Sequence, residues 1–128
     1  MNIDDIFAKS DTFSAVVEIN IPGDATDRTY RPTVKFRYLD QDQLDALMGG
    51  ESAEIDGDVI EANNDEGLLD KVLVGWSGWK VNGEEIQYDE SNHAKALRHP
   101  PIRAAMVMKF FERLSGGARG GKRGKRKN

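Results

Sequence analysis

The sequence predicts an α+β fold, in which an N-terminal β-hairpin packs on a mainly α-helical C-terminal half and a disordered basic tail follows. Three observations support it. Apolar residues alternate with a period of two within 13–39, which is typical of half-buried strands. Helical spacing dominates 68–114. Residues 115–128 contain no large apolar side chain. We therefore expect a single globular α+β domain over 1–114 and a flexible Gly/Lys/Arg tail over 115–128.

Length and composition narrow the class of protein. A chain of 128 residues is long enough for one domain with its own apolar core. The sequence has no cysteine, so it predicts neither a disulfide framework nor a thiolate metal site. It has no apolar run of about 18 residues, and its first residues do not resemble a secretory signal. These features suit a cytosolic protein.

The net charge of −4 is unevenly distributed along the chain. All 22 acidic side chains lie in 1–114 together with 12 basic ones, which leaves that part at −10, whereas the tail carries +6. Opposite charges favour contact between body and tail, within one chain or between chains. Salt should weaken this contact, because exposed charges are screened over about 8–10 Å.

The first 39 residues carry a short helical pattern and then two strand patterns. A single amphipathic turn that could dock on a neighbour is predicted by the i, i+3, i+4 spacing of Ile3, Ile6 and Phe7. Alternating runs at 13–21 and 30–38 then predict a β-hairpin with one buried face. Pro32 cannot donate a ladder hydrogen bond, so its strand is expected at a sheet edge. Glu18 is expected to pair across the strands with Lys35 or Arg37.

The middle of the chain predicts a helix, a loop and a second helix. Asp40 and Gln43 have the spacing of a capping box at the start of a short helix, and Gly49 follows its end. Residues 51–66 predict a loop with room for one short strand. A second helix is predicted by the spacing of the apolar residues Leu68, Leu69, Val72, Leu73 and Trp76.

Two more helices are predicted towards the C-terminus. Asp89 or Ser91 is a suitable N-cap for a short helix that ends near Arg98. Pro100 and Pro101 favour the first turn of a final helix, because the N–H that proline lacks has no partner there. That helix is expected to run to Leu114, with an apolar stripe of Ile102, Ala105, Met106, Phe110 and Leu114. Two further side chains, Met108 and Phe111, widen the stripe beyond what a small core needs.

No catalytic or metal-binding pattern is complete in this sequence. Residues 75–78 read Gly-Trp-Ser-Gly, one residue short of a serine nucleophile elbow. The acidic run at 56–61 has Ile and Glu where a calcium loop needs an Asp or Asn and a Gly. His93 and His99 lack the partners of a zinc site. The sequence therefore predicts a protein without enzymatic activity, cofactor or metal.

The order of these segments resembles the tail assembly chaperones of long-tailed, siphovirus-type bacteriophages and prophages. The resemblance covers 68–114 and the tail: an apolar helix, a Gly-Trp-Ser-Gly-Trp turn, an acidic capped segment, a double-proline helix and a glycine-spaced basic end. It implies a non-enzymatic, self-associating protein that coats the tape-measure protein before the tail tube polymerises. It also implies a ring or spiral homo-oligomer in the host cytoplasm that is absent from the mature virion.

Members of that family are often made in two forms by a −1 ribosomal frameshift near the end of the gene. The longer form carries an extra domain that contacts the tail-tube protein. Here Gly121-Lys122 and Gly124-Lys125 are the dipeptides that a slippery GGA-AAG codon pair would encode. The resemblance therefore implies that the basic tail is the linker to the downstream domain of a longer form.

Three apolar and six basic side chains are the candidate contacts with a client or with other subunits. Tryptophan is enriched in interface hot spots. Trp76 is nevertheless expected in the core, because it completes an apolar helix face, whereas Trp79 is balanced between core and interface. The full set of candidates is Trp79, Met108, Phe111, Arg119, Lys122, Arg123, Lys125, Arg126 and Lys127.

Two other functions stay open at this point. The basic tail is typical of an arm that binds nucleic acid. The −10 body would repel phosphate, however, and the tail has no aromatic residue for base stacking, so specific nucleic-acid binding is not expected. The other open function is that of a structural subunit of the virion, such as a tail or head-completion protein.

Overall fold

A long antiparallel hairpin organises the computed structural model, which describes residues 11–116. Strand β1 (Thr12–Val16) pairs with β4 (Thr33–Arg37), and β2 (Ile19–Ile21) pairs with β3 (Arg28–Tyr30). One register runs through both ladders, so together they form a single hairpin interrupted at Pro32. The predicted hairpin is confirmed. Predictions for 1–10 and 117–128 lie outside the described residues.

The strand that follows Pro32 is central in its sheet. A further strand, β7 (Leu73–Ser77), pairs with the other side of β4 and gives the order β1-β4-β7. The prediction of an edge strand is therefore wrong. Pro32 lies just before β4, where β7 has already ended opposite Thr33, and its carbonyl accepts a hydrogen bond from the Val17 N–H at 3.0 Å. The N–H that Pro32 lacks would therefore have had no partner in β7, and the sheet loses no hydrogen bond there.

The helix predicted from 68 to 76 ends early. Helix α2 (Asp65–Val72) stops where β7 begins. A β-bulge lies opposite the step from Lys35 to Phe36, and it places both Leu73 and Trp76 on the buried face although they are three residues apart. Three-residue spacing is ordinarily a helical pattern. The bulge thus explains why a strand looked like the continuation of a helix.

Residues 51–66 contain a hairpin rather than a loop with a single strand. Strands β5 (Ala53–Ile55) and β6 (Asp58–Ile60) are joined by Asp56 and Gly57, whose φ angles of 53° and 86° are typical of a type I′ turn. Ala53, Ile55 and Ile60 are buried in the core. The short run had too few apolar residues for its period to be recognised, so that prediction is corrected.

Capping side chains define the ends of the short helices as predicted. Helix α1 (Gln41–Met48) has the full capping box: the Asp40 carboxylate accepts from the Gln43 N–H at 2.8 Å, and the Gln43 side chain accepts from the Asp40 N–H at 3.0 Å. Helix α3 (Glu90–Leu97) begins after Asp89, whose carboxylate accepts from the Asn92 N–H at 2.8 Å. These bonds satisfy N–H groups that the first turn of a helix leaves unpaired.

The final helix, α4 (Pro100–Leu114), begins at the two prolines as predicted. Before α3, the chain forms a small hairpin of β8 (Lys80–Val81) and β9 (Glu84–Glu85), with Asn82 and Gly83 as its turn. The fold is thus α+β as predicted: four helices within 11–116 and an N-terminal hairpin, to which the C-terminal half adds β7.

One apolar core joins the hairpin to the helices. The Phe110 ring of α4 lies 5.4 Å from the Phe36 ring centroid and 6.0 Å from that of Phe13. Phe36, Phe110 and Met106 are fully buried, and no polar or charged residue is buried among the described residues. Trp76 is in the core as predicted. Helix α4 is therefore fixed across the inner face of the hairpin.

An ion pair anchors the β5–β6 turn to the central strand. The Arg37 guanidinium donates to both Asp56 carboxylate oxygens, at 2.7 and 3.2 Å, and to the Lys71 carbonyl at 3.1 Å. The pKa of Asp56 is lowered mainly by the hydrogen bond from Arg37. Partial desolvation opposes this shift, and the positive charges of Arg37 and Lys71 add to it. The turn is thus held in place best when Asp56 is ionised.

We expect Asp56→Asn to lower the urea midpoint of unfolding at about pH 7. Asparagine tolerates the positive φ of this turn, so the change removes the charge while keeping the backbone. A lowered pKa in the folded state stabilises the protein above the unfolded pKa of about 3.9, and this contribution is lost as the pH falls through the folded value. The difference from the parent should therefore shrink as the pH falls from about 7 through the lowered pKa of Asp56 in the folded state. A difference that stays the same over this range would contradict this account.

Candidate protein-binding groove

Strands β1 and β2 leave one edge of the hairpin open. The bonds from the Tyr38 N–H to the Asp11 carbonyl and from the Val17 N–H to the Pro32 carbonyl show that odd-numbered residues bond to the partner strands. In an antiparallel ladder the alternate residues direct their N–H and C=O groups away from the partner. No strand within 11–116 pairs with this edge. From Ser14 onward, the outward residues are Ser14, Val16, Glu18 and Asn20.

Arg113 closes the first part of this edge. Its Nη1 donates to the Ser14 carbonyl at 2.9 Å, and its guanidinium carbon lies 5.7 Å from the centroid of the Phe13 ring. A charged side chain across an edge blocks pairing with another strand. The stretch that stays open therefore begins at Val16, beyond the reach of this contact.

A groove of about 580 Å³ runs between the open stretch and α4. Val16 is 55% exposed and Met108 is 67% exposed, and both line this groove. The hairpin adds Glu18, Asn20 and Arg31. The helix adds four residues that share one face with Met108, namely Pro101, Ala105, Lys109 and Glu112. We call this surface the Met108 groove.

The charged side chains of the Met108 groove are paired with one another. Arg31 lies 3.4 Å from Glu18, directly across the strands, and Lys109 lies 2.7 Å from Glu112. The predicted pairing of Glu18 with Lys35 or Arg37 is wrong, because the register places Arg31 opposite Glu18. Exposed pairs contribute about 0–1 kcal/mol, so a partner rearranges them at little cost. Equal numbers of opposite charges favour an apolar partner over a phosphate backbone.

The predicted contact residues divide into three groups. Met108 lies on the surface and lines the groove. Trp79 and Phe111 are each only 4% exposed, so they do not form a contact surface, and that prediction is corrected. The six basic candidates, Arg119, Lys122, Arg123, Lys125, Arg126 and Lys127, lie outside the described residues.

Local geometry explains why Trp79 is buried. Gly78 has a φ of 71°, a backbone angle that favours glycine, and it turns the chain directly after β7. The Trp79 ring then lies edge-on to Trp76, with centroids 4.9 Å apart. The Trp79 carbonyl also accepts a hydrogen bond from the Ile86 N–H at 2.7 Å. Phe111 is buried similarly, with its ring 5.3 Å from that of Phe110.

Val16 and Arg113 are the site residues that the sequence analysis missed. Val16 carries a recognisable signal, because it is the apolar exception on the face that otherwise holds Ser14, Glu18 and Asn20. An apolar residue on the polar face of an alternating strand marks an exposed position. Arg113 carries no such signal, because its partner lies 99 residues earlier in the chain.

A polar cluster around Tyr88 has a structural role. The Tyr88 hydroxyl lies 3.2 Å from the Leu73 carbonyl and 2.8 Å from His93 Nδ1, and His93 Nε2 lies 3.2 Å from an Asp70 carboxylate oxygen. Burial, and to a smaller extent the charge of Asp70, raises the pKa of the Tyr88 hydroxyl. These contacts tie α2, β7 and α3 together, and they bring no serine, threonine or cysteine nucleophile to the histidine.

Metal ligands, membrane spans and known relatives give no indication of function for the part of the chain that the structure describes. Within 11–116 no group of three or more histidine, cysteine, aspartate or glutamate residues is arranged to hold a metal ion. No helix in the same part is long and apolar enough to cross a membrane. No family model, curated protein or solved structure matches the chain. The Met108 groove is therefore the feature that points to a function.

We expect Arg113→Ala to increase concentration-dependent association of the protein. The substitution removes the donor to the Ser14 carbonyl and lengthens the open edge, which then offers more backbone groups to a second strand. Sedimentation velocity over a dilution series measures the effect. Arg98→Ala, which removes the same charge from an exposed position at the end of α3, is the control. Equal association of the two variants would show that net charge, and not the edge, is responsible.

Proposed function

We propose that the chain is a non-enzymatic tail assembly chaperone whose Met108 groove binds apolar helix faces of the tape-measure protein before the tail tube polymerises. The observation that carries the proposal is the exposure of Val16 and Met108 in one groove with a balanced, self-paired charged rim. Adjacent exposed apolar side chains of this kind favour a protein partner. The sequence pattern of 68–114 and the tail supports the assignment to this family.

The geometry favours a helical client over an extended one. Arg113 occupies the Ser14 carbonyl, so an added strand has few outward backbone groups left to pair with. One side of the groove is a helix face with the small residue Ala105 between Pro101 and Met108. An apolar helix lying along this face would bury Val16 and Met108. Methionine is flexible and adapts to side chains of different shape, which suits a client with a long and varied sequence.

The energy available in one groove implies weak, reversible binding. Burying an exposed valine or methionine side chain contributes about 1.5–3 kcal/mol, and Val16 and Met108 are already partly covered. Both together give about 2–4 kcal/mol, which alone corresponds to a Kd no tighter than about 1 mM. A ring or spiral homo-oligomer would present many such grooves to one client and gain avidity. Weak single sites would also let the polymerising tube displace the chaperone.

We also propose that the protein is made in a longer, frameshifted form. In that form the basic tail leads to an extra domain, which contacts the tail-tube protein. The chaperone acts in the host cytoplasm and is left out of the mature virion.

The groove is tested with substitutions that place a charge in it. Met108→Asp and Val16→Asp should each reduce capture of the tape-measure protein in a co-expression pull-down by about tenfold or more, because either would leave an unpaired charge against an apolar helix. Val59→Asp is the matched control, since Val59 is 65% exposed on β6 and does not line the groove. All three variants should keep the parent's thermal midpoint. Equal loss of capture in the control would refute the groove as the client site.

The longer form is tested with the gene in its native downstream context and an N-terminal tag. We expect a second, longer product by blot and intact mass, with its junction within residues 119–127. Neither alternative function predicts a frameshift there. A single product would remove the longer form from the proposal. Salt-dependent DNA binding that disappears when 115–128 are deleted would instead support the nucleic-acid arm, and recovery of the protein from purified particles would support a virion subunit.

A further inference from the structure

A small cavity lies beside the two tryptophans of the chain. Its volume is about 170 Å³. Four of the residues that line it are buried and form its apolar wall, namely Trp76, Trp79, Ala96 and Ile102. Lys95 and His99 also line it and are exposed, so they lie at its open side. We call this space the tryptophan cavity.

The indole N–H of Trp79 has no acceptor among residues 11–116. The Trp76 indole N–H donates to the Ile86 carbonyl at 2.9 Å, whereas no described residue accepts a hydrogen bond from the Trp79 indole. Trp79 is nevertheless almost fully buried. A buried N–H nearly always has a partner, and an indole can act only as a donor. The tryptophan cavity is the space from which an acceptor can reach this N–H.

The open side of the cavity carries a positive charge that the described chain does not neutralise. Lys95 forms no ion pair within 11–116. Residues three and four positions away on a helix are the neighbours that could pair with it, and here they are Ser91, Asn92, Arg98 and His99. None of the described residues that line the cavity is acidic. The cavity therefore favours an anionic ligand.

We infer that the tryptophan cavity binds an apolar carboxylate, either a free acid or the carboxyl end of a polypeptide whose last residue is apolar. The carboxylate accepts from the Trp79 indole N–H and lies beside the Lys95 ammonium, and hydrogen bonds to an ionised acceptor are roughly twice as strong as neutral ones. The apolar group packs against Trp76 and Ile102. An apolar cavity of about 150 Å³ holds a benzene-sized molecule, so this one has room for a leucine side chain.

The inference is tested in the full chain with N-acetylleucine and its neutral analogue N-acetylleucinamide. The chain has two tryptophans, so a two-dimensional proton–nitrogen NMR spectrum shows two indole N–H signals, and Trp79→Phe assigns them by removing one. We expect the acid to shift the Trp79 signal with a Kd on the order of 1 mM. The Trp76 signal should move less, because that N–H is already bonded to a carbonyl.

The amide should bind at least tenfold more weakly than the acid, because it carries no charge to interact with Lys95. Equal binding of the acid and the amide would overturn the inference. No movement of the Trp79 signal up to about 20 mM acid would leave water as the acceptor and would overturn it too. The inference does not depend on the proposed client, so either proposal could fail alone.

A pair of lysine variants separates the cavity from the net charge of the protein. Lys95→Met keeps the length of the side chain but removes its charge, so binding of N-acetylleucine should weaken at least tenfold. Lys35→Met is the matched control, since Lys35 is exposed on β4 and does not line the cavity. An equal loss in both variants would contradict the inference.

Two further probes identify the source of the carboxylate. Isovalerate has the leucine side chain and the carboxylate but no peptide group, whereas a peptide that ends in Gly-Gly-Leu presents the same groups at a chain end. Tighter binding of the peptide would support the site and assign it to a polypeptide end. Tighter binding of isovalerate would support the site and assign it to a free acid.

Discussion

The packing of Phe110 against Phe13 and Phe36 is the contact on which the arrangement of this protein depends. It is the point at which the C-terminal helix meets the N-terminal hairpin, with ring centroids 5.4 and 6.0 Å apart. The position of α4 along β1 and β2 follows from it. The Met108 groove follows in turn, because it lies along one face of this helix. Arg113 reaches the Ser14 carbonyl from the next turn of the same helix.

A second groove, of about 610 Å³, lies at the C-terminal end of α4 and differs from the Met108 groove in its lining. Tyr38, Leu44 and Leu114 give it an apolar wall, whereas the charged side chains of the Met108 groove are paired with one another. Arg113 connects the two grooves, because it lines the second one while it covers the part of the β1 edge that leads into the Met108 groove. A change at the second groove that moves Arg113 would therefore change how much of the β1 edge is open.

The sequence was sufficient to predict the elements whose determining residues lie within one helical turn of each other. The capping box of Asp40 and Gln43 and the double proline at the start of α4 act within one helical turn, so their residues were enough to identify them. The β-strand over Leu73–Ser77 depends on pairing with β4, and its bulge gave the apolar residues a helical spacing. The position of Trp79 depends on the turn at Gly78, and the closure of the β1 edge depends on a residue 99 positions away. Met108 was predicted on the surface because the helix carried more apolar residues than one face can bury.

The bulge in β7 has a consequence for how copies of the protein can join. It lies on one outer strand of the three-stranded sheet, where the extra residue disrupts the ladder and increases local twist. At the opposite outer strand, Arg113 covers the carbonyl of Ser14. Both borders of the three-stranded sheet are therefore partly closed to continuation by main-chain hydrogen bonds, the route by which sheets grow into fibres. Any association of copies would then depend more on side-chain surfaces, whose separate, weaker contacts would allow an assembly to be taken apart again.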